Sequence, residues 1–252
     1  MWVMRDIICM NKVRKVLISF AGLLLTGCFS SNTNKEPTIF ESGFFKYILK
    51  EENNTNKNDK KSSSIVIIGF TALGNEQTSI DIPREIDGYS VKYIGLYDEG
   101  YSHYNSQKVE CSENLKKLFV FDNIESLAYV NGKNVEMMFC SNDFSTERIR
   151  CSFKKIFIPN KLFLEQKNPD HIGGIYGANV MFDYNLDSNQ GNLYRIDNAS
   201  LNETICLPPN PLREGYSFEG WYLEPECINK VDLESYKIEN EEEHIFYAGW
   251  SA

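Results

Sequence analysis

The 252-residue chain carries 26 Lys and Arg against 35 Asp and Glu, a net charge of −9 and a sequence pI near 5.0. That balance disfavours nucleic-acid binding, which needs a basic face, and adsorption on an anionic membrane surface. With 42% hydrophobic and 13% aromatic residues, the composition is that of a folded protein.

In chain order, residues 10–15 are basic (Lys12, Arg14, Lys15), residues 16–25 form an apolar run, and Leu25-Thr26-Gly27-Cys28 follows. A basic head, a short apolar stretch and small residues before a cysteine make a secretory signal. About ten apolar residues fall short of the roughly 20 that span a bilayer, so the run is not a transmembrane helix. Met10 makes a better start than Met1, because the residues before it add Trp2 and Asp6 to a basic head. The Leu-Thr-Gly-Cys tetrad resembles a bacterial lipobox. That resemblance implies loss of residues 1–27, diacylation of Cys28, and a chain anchored by lipid in the bacterial cell envelope, outside the cytoplasm. Two acyl chains, at about 0.8 kcal/mol per buried CH₂, hold a protein where one is marginal. The alternative is an ordinary cleaved signal that leaves Cys28 free.

Roughly 220 residues follow, room for two small domains. Residues 28–42 are polar and unpatterned and read as a flexible tether reaching roughly 20 Å. Residues 44–49 and 64–70 are strands by their β-branched and aromatic content. The Asn-, Lys- and Ser-rich residues 50–63 between them read as a mobile hairpin loop.

Ile80-Asp81-Ile82-Pro83, Leu118-Phe119-Val120-Phe121 and Ile156-Phe157-Ile158-Pro159 recur 38 residues apart. Each reads as a short strand alternating inward and outward residues. With Ile67-Ile68-Gly69-Phe70 and Asp87-Gly88-Tyr89-Ser90-Val91-Lys92-Tyr93-Ile94-Gly95, these pieces resemble the BspA-like leucine-rich repeats of bacterial surface proteins. The resemblance implies an irregular, leucine-rich-repeat-like β domain over residues 43–172. The period exceeds the usual 20–29 residues, so insertions such as 97–107 and 129–147 are expected.

From Asn179 a second pattern begins. Strands are expected at residues 179–185 and 193–196, followed by Pro208-Pro209-Asn210-Pro211-Leu212-Arg213-Glu214-Gly215-Tyr216-Ser217-Phe218-Glu219-Gly220-Trp221-Tyr222 and the closing Tyr247-Ala248-Gly249-Trp250. This is similar to the Listeria–Bacteroides repeat, the B-repeat of the internalin family. It implies a small β-grasp-like module over residues 173–252, so the fold class expected for the chain is mainly β (α+β). Tyr216, Phe218, Trp221, Tyr222, Phe246 and Trp250 supply enough aromatic area for a core in so small a module. The competing use of Trp221 and Trp250 is as a platform for sugar stacking.

Chemistry is sparse. Beyond the leader stand Cys111, Cys140, Cys151, Cys206 and Cys227, an odd number with no Cys-x-x-Cys spacing. Cys206–Cys227 is the first choice of bridge and Cys140–Cys151 the second, with buried free thiols for the remainder. His103, His171 and His244 show no ligand spacing, and no nucleophile, phosphate-loop or zinc motif is present. Asp183-x-Asn185-x-Asp187-x-Asn189 alternates oxygens like a calcium loop, but Ser188 stands where Gly is needed and no Glu closes it. A polar turn accounts for it. The run at 239–243 reads as a solvated acidic turn.

These readings predict no enzyme activity, no metal and no cofactor. They describe a lipid-anchored bacterial surface protein for non-catalytic interaction or adhesion, its partner a protein or glycan at the cell surface. The Tyr-rich stretch with Tyr97, Tyr101, His103 and Tyr104 offers contact residues of the type common at interfaces. The alternatives are a structural envelope spacer without its own ligand, or a carbohydrate- or solute-binding lipoprotein.

Overall fold

The computed structural model describes residues 37–51, 63–96, 108–143, 149–165, 174–186, 192–240 and 242–252. Cys28, Tyr97, Tyr101, His103, Tyr104 and His171, and most of the 50–63 segment, lie outside these residues. Strand dominates, in two sheets.

The first sheet has eleven strands. It opens with β1 (Phe40–Ser42), β2 (Phe45–Glu51) and β3 (Ser63–Phe70), where β2 and β3 form the expected antiparallel hairpin from Phe45↔Phe70 to Glu51↔Ser63. A one-turn helix, α1 (Ala72–Asn75), follows, capped by the Thr71 hydroxyl accepting from the Gly74 N–H at 3.1 Å. Then come β4 (Ser79–Asp81), β5 (Glu85–Ile86), β6 (Tyr89–Ile94), β7 (Val109–Glu110), β8 (Lys117–Phe121), β9 (Ser126–Cys140) and β10 (Ile149–Ile158). The helix α2 (Asn160–Glu165) leads to β11 (Ile175–Gly177), which pairs with β10.

The 38-residue repeat is a parallel ladder. Ile80 pairs with Leu118, Leu118 with Met137, Met137 with Ile156, and Ile156 with Ile175. Beyond Leu118 the step is therefore 19 residues each time, and 38 is two such steps. This corrects the reading of 129–147 as an insertion: Tyr129–Cys140 belongs to β9, the strand between the second and third copies. Tyr129 takes a positive φ of 63° near the start of that strand, and irregular pairing to β10 hides its alternation.

The strict inward–outward alternation also fails. Leu118, Val120, Met137, Phe139 and Ile158 face the main core, while Phe119, Met138, Cys140 and Phe157 are buried on the opposite face. Parallel sheets covered on both sides read as continuous apolar runs. Here the second cover is the other sheet, whose Ile196, with Ala178 just before it, completes that cluster.

The second sheet comprises β12 (Val180–Asp183), β13 (Leu193–Asp197), β14 (Ser217–Tyr222), β15 (Lys230–Val231) and β16 (His244–Ser251), in the order β13-β12-β16-β14-β15. Its central pair, β12 and β16, is parallel and its other pairs are antiparallel. Among the described residues no helix crosses it. Ala199, Ile205, Leu233 and Ile238 cover Val180, Phe182, Trp221 and Phe246 instead. Trp221 meets Phe182 edge-on at 4.9 Å and Phe218 at 5.3 Å.

Phe218 and Trp250 pack on this core half-buried, and the Trp250 indole N–H donates to the Tyr184 carbonyl at 2.7 Å. The half-buried Tyr222 ring lies so close to the Gly249 backbone that any Cβ there would collide with it. Tyr216 is a correction: it is 43% exposed, its ring stacked under the Arg213 guanidinium at 3.8 Å. A side chain carried on the surface beside a cation keeps one face wet, so it adds nothing to the core.

Candidate functional site

The geometry that joins the two sheets begins with an arginine. In Leu193-Tyr194-Arg195-Ile196-Asp197, β13 turns Arg195 onto the first sheet, and its residue is fully buried. The guanidinium lies 3.4 Å from the Phe119 ring centroid. Its Nη1 donates to the Cys206 carbonyl at 2.9 Å, and Nη2 donates to Asp81 Oδ2 at 3.2 Å. Nε stands 2.8 Å from Asp81 Oδ1, yet neither atom has an aligned hydrogen bond, so this contact is one of charge rather than a directed bond. Burial pushes the Asp81 carboxyl up, against the downward pull of Arg195.

A second pair lies beside it. Asp197 is fully buried and accepts from Lys117 Nζ at 2.6 Å, from the Asn198 N–H at 2.8 Å and from the Cys206 N–H at 2.7 Å. Lys117 also donates to the Asn198 carbonyl at 2.7 Å. Each ion pair thus has one partner in each sheet, Asp81 to Arg195 and Lys117 to Asp197. Buried pairs of this kind return little net stability against desolvation, but breaking one leaves an orphaned charge.

The joined sheets enclose a groove of about 480 Å³, within the range of ligand sites. Asp81 lies in its wall with Pro83, Arg84 and Phe121 on the first-sheet side. Tyr184, Tyr194, Pro209, Pro211 and Leu212 form the opposite side. The Tyr184 and Tyr194 rings meet edge-on at 4.8 Å, and Tyr194 stacks against Trp221 at 5.8 Å. The Tyr194 hydroxyl donates to the Pro209 carbonyl at 2.8 Å. Burial pushes both phenols above their ordinary value. Arg84 pairs with Asp122 at 2.5 Å near the Phe121 ring, and Leu212 is 91% exposed.

A second cavity, of about 490 Å³, opens between α2 and the outer face of β12 and β16, lined by Leu162, Met181, Ile245, Asp183 and Glu243 among others. Burial pushes the Asp183 carboxyl up while the Asn185 N–H, donating at 2.6 Å, pulls it down. Glu243 is likewise pushed up, with Asn160 opposing. Among the described residues no group of three or more His, Cys, Asp or Glu is placed to hold a metal ion.

The expected cysteine bridges are corrected. Cys206 and Cys227 are both free thiols, as are Cys140 and Cys151. Cys206 lies 3.6 Å from Arg195 Nη2, whereas Cys227 lies 3.4 Å from Asn185 Nδ2, so separate neighbours hold the two sulfurs. Cys140 sits in the seam, its sulfur 3.4 Å from the Ile196 N–H. His244 is held by Tyr236, whose hydroxyl lies 2.9 Å from Nδ1.

Asp81, Lys117, Arg195 and Asp197 escape a reading of the sequence because each occupies an apparently outward position of an amphipathic strand. The one available signal is a single charge embedded in a strand, as in Ile80-Asp81-Ile82, and it does not name a partner.

Residues 179–249 match the Listeria-Bacteroides repeat domain. The match takes in β12, β13, β14 and β15 and most of β16, so Arg195 and Asp197 are side chains of the repeat while Asp81 and Lys117 are not. Searches of curated proteins and of solved structures return no match to the chain. Among the described residues no helix is long and apolar enough to cross a membrane.

Proposed function

We propose that the chain is a lipid-anchored bacterial surface protein that recognises a partner without catalysis, with the groove between the repeat module and the first sheet as its contact surface. The observation that carries this reading is the repeat match at 179–249, set on a second sheet by two buried ion pairs. The Leu25-Thr26-Gly27-Cys28 tetrad supplies the anchor. The leucine-rich-repeat resemblance is supported by the parallel ladder with its 19-residue step. The groove offers rings, prolines and an exposed leucine, which is contact surface rather than acid–base machinery.

Intact-mass spectrometry of membrane-fraction protein tests the anchor. A mature mass starting at Cys28 with a diacylglyceryl increment, lost in Cys28→Ala, is the expected result. An unlipidated mass in the culture supernatant would overturn anchoring.

A further inference from the structure

We propose that Lys117 and Asp197 become joined by an isopeptide bond, an amide between the lysine Nζ and the aspartate Cγ that ties the first sheet covalently to the repeat module. This goes beyond the surface reading above and does not depend on it.

Three observations carry it. First, the reacting groups already meet. Lys117 Nζ stands 2.6 Å from Asp197 Oδ1. An amine that close to one carboxyl oxygen lies roughly 3–3.5 Å from the carboxyl carbon, the separation of a near-attack geometry. Other bonds hold both partners in place. Lys117 Nζ also donates to the Asn198 carbonyl at 2.7 Å, while the Asn198 N–H fixes Oδ1 at 2.8 Å and the Cys206 N–H fixes Oδ2 at 2.7 Å.

Second, the contact is largely shut off from water. The Asp197 side chain is fully buried, and only 20% of the Lys117 side chain is exposed. Burial disfavours the charged form of both groups. A proton passed along the 2.6 Å contact leaves a neutral amine facing a carboxylic acid, the pair from which an amide forms.

Third, the surroundings supply what the addition needs. When the amine adds to Cγ, negative charge gathers on Oδ2, where the Cys206 N–H is already aimed. A second carboxyl stands on the same side of the sheet. Ser79 pairs with Lys117 and Asp81 with Phe119, so the pleat puts Lys117 and Asp81 on one face. Burial and the charge of Asp197 push the Asp81 carboxyl up against the pull of Arg195, which suits it to pass a proton to Oδ1. The Nζ–Cγ bond forms, the Cγ–Oδ1 bond breaks, and Oδ1 leaves as water with two protons that the ammonium gives up. Nothing is oxidised or reduced.

The test is mass spectrometry of the full chain under denaturing conditions, followed by tryptic mapping. The expected mass is one water below that of the unlinked mature chain. The map should contain a branched peptide joining the residues around Lys117 to those around Asp197, with no cleavage after Lys117. Lys117→Arg keeps a cation opposite Asp197 but has no amine to acylate, so it should show the full mass and no branched peptide. Asp81→Asn keeps the side-chain shape without the acid and should leave a mixture of linked and unlinked chains. Wild-type chain at full mass, with Lys117 cleaved and Asp197 in a separate linear peptide, would overturn the proposal, however the variants fold. So would a water loss that survives in Lys117→Arg. Anchoring is read from the peptide that carries Cys28, so the two readings fail independently.

Discussion

Removing Asp81 tests whether the charged seam joins the sheets. Asp81→Ala takes away both carboxylate oxygens that face Arg195, at 2.8 and 3.2 Å. Arg195 is fully buried, so its charge cannot turn to water. It keeps the Cys206 carbonyl, a weak contact to the Cys206 sulfur and the Phe119 ring. Orphaning one member of a buried pair costs about 3–5 kcal/mol. For a chain of this size each kcal/mol moves the midpoint by about 2–4 °C, so Tm should fall by roughly 10 °C. The double variant Asp81→Ala/Arg195→Met removes both charges and keeps an apolar stem over Phe119. Because the intact pair is worth little net, the double variant should recover most of the loss, giving a coupling energy of about 3 kcal/mol or more. Chemical denaturation followed by near-UV circular dichroism measures all four corners of the cycle. If the double variant is as unstable as the two single losses added together, Arg195 and Asp81 do not act as a pair.

Other expectations follow from single groups. Trp221→Ala, which empties the contact among Phe182, Tyr194 and Phe218, should cost about 3–5 kcal/mol and unfold the repeat module; an unchanged melting profile would refute the core role. Asp183→Asn should stabilise the protein at pH 7. The folded carboxyl is pushed up by burial, so the ionised form carries a penalty above its folded value. The advantage of the amide should fade as pH falls to about 3, where both states of the acid are neutral, and a pH series of denaturation midpoints checks the sign. All five cysteines from Cys111 onward should titrate as free thiols after unfolding, whereas in the native protein Cys140, buried and with its thiol pushed up to about 12, should resist alkylation at pH 8. Free thiols at three or fewer of these five in the unfolded chain would show a disulfide.

Local pattern carried the parts of this fold that depend on local chemistry. The hairpin of residues 44–49 and 64–70 is legible because both strands are rich in β-branched and aromatic side chains, and the register closes as Glu51↔Ser63. The recurrence of Ile80, Leu118 and Ile156 is legible because parallel strands stack equivalent residues. Met137 is missed because Glu136-Met137-Met138 does not look like Ile-Asp-Ile, although it fills the same row. Long-range burial is what the sequence hides. Phe119 and Phe157 read as outward positions until a second sheet is placed over them. Tyr216 fails in the opposite sense, since aromatic content says nothing about which ring ends on the surface. The Cys206–Cys227 choice fails because spacing cannot tell that Arg195 and Asn185 hold the two sulfurs apart.

The same reason explains why the groove cannot be foreseen. Tyr184 and Tyr194 belong to the repeat, and Pro83, Arg84 and Phe121 belong to the first sheet. The shape exists because Asp81 reaches Arg195 and Lys117 reaches Asp197 across the seam, and these pairs tolerate no shift of register. Two apolar faces such as Phe119–Met138 and Ile196 would slide with little penalty, whereas a displaced guanidinium loses its carboxylate and meets only hydrocarbon. Costly charges at the seam therefore make sense as a device for position rather than for stability. Asp81 lines the groove with one side and holds Arg195 with the other, so the residue that sets the register also borders the groove.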